Sequence, residues 1–210
     1  MQIIPTILEK EFGVAKDKIL RVNNLVKWIQ LDVIDGYFSN GKTFELELVN
    51  SIEGVENILW ETHLMVKDPI KWIKKSLFIN ASRIIGQIEM MPSVDDFINK
   101  VKDEGLEAGL AMDINTPIIE IPEETNLVLL LSRKAGFESQ PFDEKIYKKI
   151  DELNQQKNRR NLSFKIGIDG GVNQGNIKKL EDSGADIAYC GSSVFSGNVE
   201  DNLKKLNYVG

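Results

Sequence analysis

The chain has 210 residues, 42% of them apolar, and a net charge of −6 with both signs interspersed. That is enough material for one large core, and it leaves no basic face for nucleic acid. The first residues, Met1-Gln2-Ile3-Ile4-Pro5-Thr6, lack the basic and apolar segments of a secretory leader, and no run reaches the roughly 18 apolar residues of a membrane span, so a cytoplasmic protein without a membrane partner is expected.

Strand-like apolar runs alternate with amphipathic stretches along the whole chain, although no residue-level repeat is present. The first strand is read as Gln2 to Leu8, with a helix running to about Arg21 to Leu25. The second is Trp28 to Asp32, followed by an Asn40-Gly41 loop and a helical stretch from Phe44 to Ile52. A third, Ile58 to Leu64, precedes Asp68-Pro69, which opens the helix carrying Trp72. A fourth, Arg83 to Glu89, precedes a helix capped by Ser93 with Asp96 at its third position.

Gly105 stops that helix before a fifth strand, Glu107 to Met112. The sixth, Leu127 to Leu131, is wholly aliphatic, as strands buried on both faces are. An irregular loop from Ser132 to Phe142 leads to a helix from Asp143 to Gln156. The seventh strand, Ser163 to Asp169, ends in Gly170-Gly171 before a helix from Gln174 to Ser183. The eighth, Asp186 to Cys190, leads through Gly191-Ser192-Ser193 to a helix near Val199 to Leu206. Eight such units without a linker specify an α/β protein, a single (β/α)8 TIM barrel over residues 1–210, with a doubly wound open sheet as second choice.

Catalytic groups of such barrels lie at the C-terminal strand ends. Those ends carry Thr6, Gln30 with Asp32, His63, Gln87 with Glu89, Asp113, Ser132, Asp169, and Gly191 with Ser192. The glycine-rich turns after strands seven and eight suit a phosphate, bound by backbone N–H groups. His63 with Asp32 and Asp169 is a possible first shell for zinc, manganese or iron. The ordinary alternatives are a histidine hydrogen-bonded at the barrel mouth and an aspartate capping the next helix. Cys190 is the only cysteine, so no internal disulfide forms, and it reads as a small buried apolar residue. Paired lysines and arginines read as helix-surface doublets.

The ordered set Pro5-Thr6-Ile7-Leu8, Leu31-Asp32-Val33-Ile34-Asp35-Gly36, His63-Leu64-Met65-Val66, Gly136-Phe137 with Gln140 and Phe142, Asp169-Gly170-Gly171-Val172 and Gly191-Ser192-Ser193-Val194-Phe195 resembles the ribulose-phosphate 3-epimerase family over nearly the whole chain. The resemblance implies a ribulose-phosphate-binding barrel whose sugar-phosphate substrate passes between ribulose 5-phosphate and xylulose 5-phosphate, or a close ketose phosphate such as allulose 6-phosphate that is epimerised in the same way. It implies that Asp32 and Asp169 act as acid and base on opposite faces of C3. It also implies a divalent metal ion (zinc, iron, manganese or cobalt) held by Asp32, His63, Asp169 and the position of Gln30, and substrate or phosphate contacts at Thr6, His63, Gly136, Gly171, Gly191 and Ser192. A homo-oligomer is implied as well; Trp28 and Trp72 are interface candidates, with core packing as their commoner use.

The chain departs from that pattern at four places. Gln30 stands where the family has a ligand histidine, and Gln87-Ile88-Glu89 where it has His-x-Glu. Glu138-Ser139 replaces two glycines, and Glu9 a serine. These departures keep open a silent phosphate-binding barrel with a binding or regulatory role. A decarboxylase or aldolase on the same scaffold is the third reading, an aldolase needing a Schiff-base lysine such as Lys165, which is expected to sit deep.

Overall fold

Side chains alternate between two cores along each strand, and this closes the sheet. Ile3, Leu31, Leu64, Ile84, Leu110 and Val128 pack outward, whereas Ile4, Met65, Ile85, Ala111, Leu129 and Tyr189 fill the inside. A strand buried on both faces has no face for water, which is the condition for a parallel sheet covered by helices. In the computed structural model, which describes residues 1–136 and 141–206, β1 (Gln2–Ile7), β2 (Trp28–Ile34), β3 (Leu59–Met65), β4 (Ala81–Gln87), β5 (Glu107–Met112), β6 (Leu127–Leu131), β7 (Lys165–Asp169) and β8 (Ile187–Cys190) form a closed parallel barrel. The expected (β/α)8 architecture is therefore present. Phe137, Glu138, Ser139 and Gln140 lie outside the described residues.

The strands β5 and β6 have the expected bounds. β2 runs on to Ile34 because Thr43, returning from the following loop, accepts from Ile34 N at 3.1 Å and donates its own N–H to Ile34 O at 3.1 Å. β4 stops at Gln87, and Ile88–Met90 form a single 3-10 turn. The helices are α1 (Phe12–Val22), α2 (Ile73–Phe78), α3 (Val94–Asp103), α4 (Ile146–Arg160), α5 (Ile177–Asp182), α6 (Ser192–Phe195) and α7 (Val199–Lys205). Ser93 caps α3 as expected, its Oγ accepting from Asp96 N at 3.2 Å.

Two of the eight units have no α-helix among the described residues. The stretch after β2 contracts to a 3-10 helix, Leu46–Ser51. The connection between β5 and β6 is irregular, since Pro117 and Pro122 remove backbone donors a helix would need. No described helix is long and apolar enough to cross a membrane.

Two polar expectations are corrected by the packing. Lys165 is exposed at the first position of β7, the opposite end from Asp169, so it is no candidate for a buried Schiff base. Lys149, one half of a supposed surface doublet, is buried, and its Nζ donates to the carbonyls of Asp113 and Thr116 at 2.5 and 2.7 Å, pinning the loop after β5.

Below the strand ends the barrel interior holds an ion cluster. Glu61, Arg83 and Glu107 stand in register on β3, β4 and β5. Arg83 Nη1 donates to Glu61 Oε2 at 2.6 Å, and Nε donates to Glu107 Oε2 at 2.7 Å. The half-buried Trp28 ring lies 4.5 Å from the same guanidinium. The Tyr189 ring lies above this cluster against β7, where a Cβ on Gly167 would meet its Cε2 at 2.6 Å. Gly167→Ala is therefore expected to cost about 1–3 kcal/mol, the usual range for overpacking. An unchanged urea midpoint in that variant would show that the ring can move aside.

Candidate active site

The ends of β2, β3 and β7 bring three of the expected residues together. Asp32 and His63 are direct partners in the β2–β3 register, and Asp169 ends β7. One ligand atom from each of Asp32, His63 and Asp169 lies within 4.8 Å of the others. Asp32 and His63 are buried, and Asp169 is half-buried. All three line a cavity of about 390 Å³, which Thr6, Gly136, Gly171, Gly191 and Ser192 also line.

A hydrogen-bonded chain holds the first two groups in place. Gln30 Nε2 donates to Asp32 Oδ1 at 2.8 Å, His63 Nδ1 lies 3.1 Å from the same oxygen, and His63 Nε2 lies 2.8 Å from Gln87 Oε1. Gln87 Oε1 can only accept, so the imidazole N–H sits on Nε2 and the Nδ1 lone pair of a neutral ring faces a carboxylate. Two acceptors face each other there, and a cation between them, a proton or a metal ion, satisfies both. The two carboxylates and the imidazole nitrogen thus fit a divalent metal, with Gln87 fixing the ring as an outer partner.

Gln30 is placed differently from the position the resemblance assigns it. It turns its N–H to Asp32, and its Oε1 is buried without a hydrogen-bond partner among the described residues. In this arrangement its N–H supports Asp32. Nor does Asp32 cap a helix, since its Oδ1 is engaged by Gln30 and His63.

Electrostatics follow from this enclosure. Burial pushes the Asp169 carboxyl up, and the charge of Asp32 adds to it, to about 6, while His63, Arg133 and the Gly170 N–H at 2.5 Å pull the other way. Burial alone would lower the His63 imidazole, but the hydrogen bond and charge of Asp32 hold it above its ordinary value. Burial lifts the Cys190 thiol to about 12, in keeping with its reading as an inert buried residue.

Other strand-end polar groups serve the scaffold. Glu89 Oε1 accepts from Asp113 N at 2.8 Å and from Thr116 Oγ1 at 2.5 Å. Asp113 Oδ1 accepts from Ala135 N at 2.6 Å, and Ser132 Oγ donates to the Gly170 carbonyl. Asp35 closes the loop after β2 by accepting from Tyr37 N at 2.9 Å and Lys67 N at 2.7 Å. Gly136 has a φ of 82°, and a Cβ there would meet Ser39 Oγ at 2.3 Å, so glycine is required at this point of the rim.

Lys18, Arg133, Lys134 and Tyr189 also line the cavity, and the strand-end reading did not mark them. Tyr189 was findable, being the inward neighbour of Gly191 two positions on in β8. Arg133 and Lys134 were findable as a basic pair in a strand-end loop. Lys18 reaches the cavity from α1, which no period-2 argument would reveal.

A family model described as the ribulose-phosphate 3 epimerase family matches residues 2–195. A ribulose-phosphate 3-epimerase of Treponema pallidum is 26% identical over 207 residues, covering 97% of this chain and 95% of that protein. The enzyme of the same name from Aquifex aeolicus is 30% identical over 182 residues, covering 85% and 82%, and that of Bacillus subtilis is 27% identical over 216 residues, covering 100% and 98%. Among solved structures, a mutant tryptophan synthase alpha-subunit from Pyrococcus furiosus superposes with a TM-score of 0.68 at 15% identity, covering 98% and 96%, a likeness of fold alone. With the family model spanning almost all of the barrel and the relatives matching it end to end, the chain belongs to the ribulose-phosphate 3-epimerase family.

Proposed function

We propose that the protein is a cytoplasmic, homo-oligomeric, metal-dependent epimerase, one barrel domain over residues 1–210, that interconverts ribulose 5-phosphate and xylulose 5-phosphate. The observation that carries this reading is the meeting of Asp32 and Asp169, from strands separated by β1 and β8, with His63 in one cavity. Inverting a carbon requires one group to remove a proton and another to deliver one to the opposite face, and two carboxylates suffice if both can change protonation near neutral pH. The Asp169 carboxyl, pushed up to about 6, is suited to that task.

Asp32, His63 and Asp169 would hold the metal, for which zinc, iron, manganese and cobalt are the candidates. When bound, it supplies Lewis acidity, which lowers the acidity barrier of a C–H next to a carbonyl. Gln30 and Gln87 orient Asp32 and His63. Gly171, Gly191 and Ser192 form the corner where the phosphate of the substrate is received, with Thr6 beside it and the half-buried Gly136 on the rim.

The test is proton NMR of ribulose 5-phosphate in deuterium oxide with protein that has been stripped by chelator and then resupplied with each of the four ions. Exchange at C3 with formation of xylulose 5-phosphate is expected for at least one ion. Chelation should lower the rate by about two orders of magnitude or more, the scale of the several kcal/mol a Lewis acid contributes. Absence of exchange with every ion, in protein that still binds phosphate, would replace this reading with that of a silent binding barrel.

A further inference from the structure

The loop after β2 is tied at its base and free at its tip. Asp35 accepts from Tyr37 N and Phe38 N at 2.9 and 3.2 Å, and Thr43 is bonded to Ile34 through both its Oγ1 and its N. The Gly41 carbonyl lies 3.4 Å from where a Cβ on Gly36 would stand, so the two sides of the loop close into a neck. At the tip, Asn40 and Gly41 are exposed, and among the described residues neither the Asn40 side chain nor the Gly41 N–H has a hydrogen-bond partner. No other asparagine of the chain is followed by glycine.

This dipeptide has a chemistry of its own. Once hydroxide takes the Gly41 N–H proton, that nitrogen can attack Asn40 Cγ, and the ring closes readily because both groups belong to adjoining residues. The new bond joins Gly41 N to Asn40 Cγ, the Cγ–Nδ2 bond breaks, and Nδ2 leaves as ammonia after taking a proton from water. Glycine presents no Cβ to obstruct the approach. Water then opens the cyclic imide. Entry at Cγ gives aspartate, whereas entry at the main-chain carbonyl gives isoaspartate, whose backbone runs through Cβ and Cγ and is one methylene longer.

The surroundings favour the ring closure and give it a consequence. A Cβ on Gly41 would lie 3.2 Å from Lys10 Cε and 3.6 Å from its Nζ, so an ammonium stands beside the peptide unit that must become negative. Ser39, next to Asn40 on the other side, is buried against the cavity rim, where a Cβ on Gly136 would lie 2.6 Å from Ser39 Cβ. The neck and the Thr43–Ile34 pair leave an added methylene no room at the base, so it displaces Ser39 from Gly136, beside the Ala135 N–H that Asp113 holds at 2.6 Å.

We propose that Asn40 is a modification site: in the folded protein it converts spontaneously to aspartate and isoaspartate, Lys10 accelerates the ring closure, and the isoaspartyl form loosens the cavity rim at Ser39 and Gly136. The assignment goes beyond the epimerase reading and does not rest on it, since neither Asn40 nor Lys10 belongs to the groups assigned there.

The test incubates the full chain under native conditions in mildly alkaline buffer and follows its peptides by mass for exchange of an amide for an acid, with isoaspartate scored by an isoaspartyl methyltransferase. Conversion at Asn40 is expected to run about tenfold or more faster than at the exposed Asn50, whose Nδ2 donates to Phe78 O at 2.9 Å and whose neighbour Ser51 carries a Cβ. Asn40→Gln, which would need a larger ring, should abolish it. Lys10→Met should slow it roughly two- to fivefold, the scale of one unit charge at contact distance in water, and the difference should shrink in high salt. A rate at Asn40 equal to that at Asn50, or conversion only after unfolding in urea, overturns the modification site. A Lys10→Met rate equal to that of wild type overturns the role of Lys10.

Amide hydrogen exchange reads the rim without any turnover. The peptide containing Ala135 and Gly136 is expected to exchange faster in the isoaspartyl fraction, separated by ion exchange, than in unmodified protein. Asn40→Asp adds the charge without the methylene and should stay near wild type. Exchange that is equal in all three, or raised as much in Asn40→Asp, overturns the loosening by a longer backbone.

Discussion

Asp169→Asn and Asp32→Asn are each expected to lower solvent exchange at C3 of ribulose 5-phosphate by about 10²- to 10⁴-fold, the range that a positioned acid or base contributes. An amide keeps the size of the side chain and cannot carry the proton. In the proposed two-base reaction each carboxylate serves a different face, so neither variant is compensated by its partner. Metal content measured on the same samples separates loss of the base from loss of a ligand. Exchange that persists near the wild-type rate in both variants defeats the two-base assignment.

The same pair predicts a pH signature in the metal-free protein. The folded Asp169 carboxyl is raised to about 6 from 3.8, so protonation favours the folded state. Its contribution is fully present below 3.8 and is lost as pH rises through about 6. His63, also raised, acts in the same sense, so the denaturation midpoint should fall as pH rises toward neutrality, and less steeply in Asp169→Asn.

Arg83→Met is expected to destabilise the fold by about 3–5 kcal/mol, the cost of leaving a buried charge without its partner. Glu61 is wholly buried and Arg83 3% exposed, with Arg83 Nη1 2.6 Å from Glu61 Oε2. Burial already raises the Glu61 carboxyl, against the pull of Arg83. Removing the guanidinium drives Glu61 toward its neutral form, and the loss deepens as pH rises. Glu61→Gln combined with Arg83→Met should recover much of that loss in urea denaturation, because the stranded charge is gone. A double variant no more stable than Arg83→Met alone would show that the arginine acts through packing on Trp28 rather than through the ion pair.

The barrel was legible because its determinants are local. A strand such as Leu127–Leu131 needs only five aliphatic residues between polar ends to announce burial on both faces. The 3-10 helix at Leu46–Ser51 was not, because its sequence carries helical periodicity and only the packing decides which turn forms. At the site, Asp32, His63 and Asp169 were readable from strand parity, which fixes the face of a side chain without knowledge of its neighbours. The orientation of Gln30 was not, since an amide offers a donor and an acceptor at one end and only the neighbouring carboxylate selects between them. Arg133 was readable as half of a basic pair in a strand-end loop, but nothing in its own segment shows that Gly170, far along the chain, leaves room for it.

The unequal enclosure of the two carboxylates gives the proposed reaction a memory. Asp32 is 5% exposed and tied to buried partners, whereas Asp169 stands half-open at the cavity. Each passage in one direction leaves its proton on the dry carboxylate, and each passage in the other leaves it on the wet one. On that scheme the free enzyme exists in two forms that differ only in where a hydrogen resides. A turnover toward one epimer ends in the form from which the reverse turnover begins.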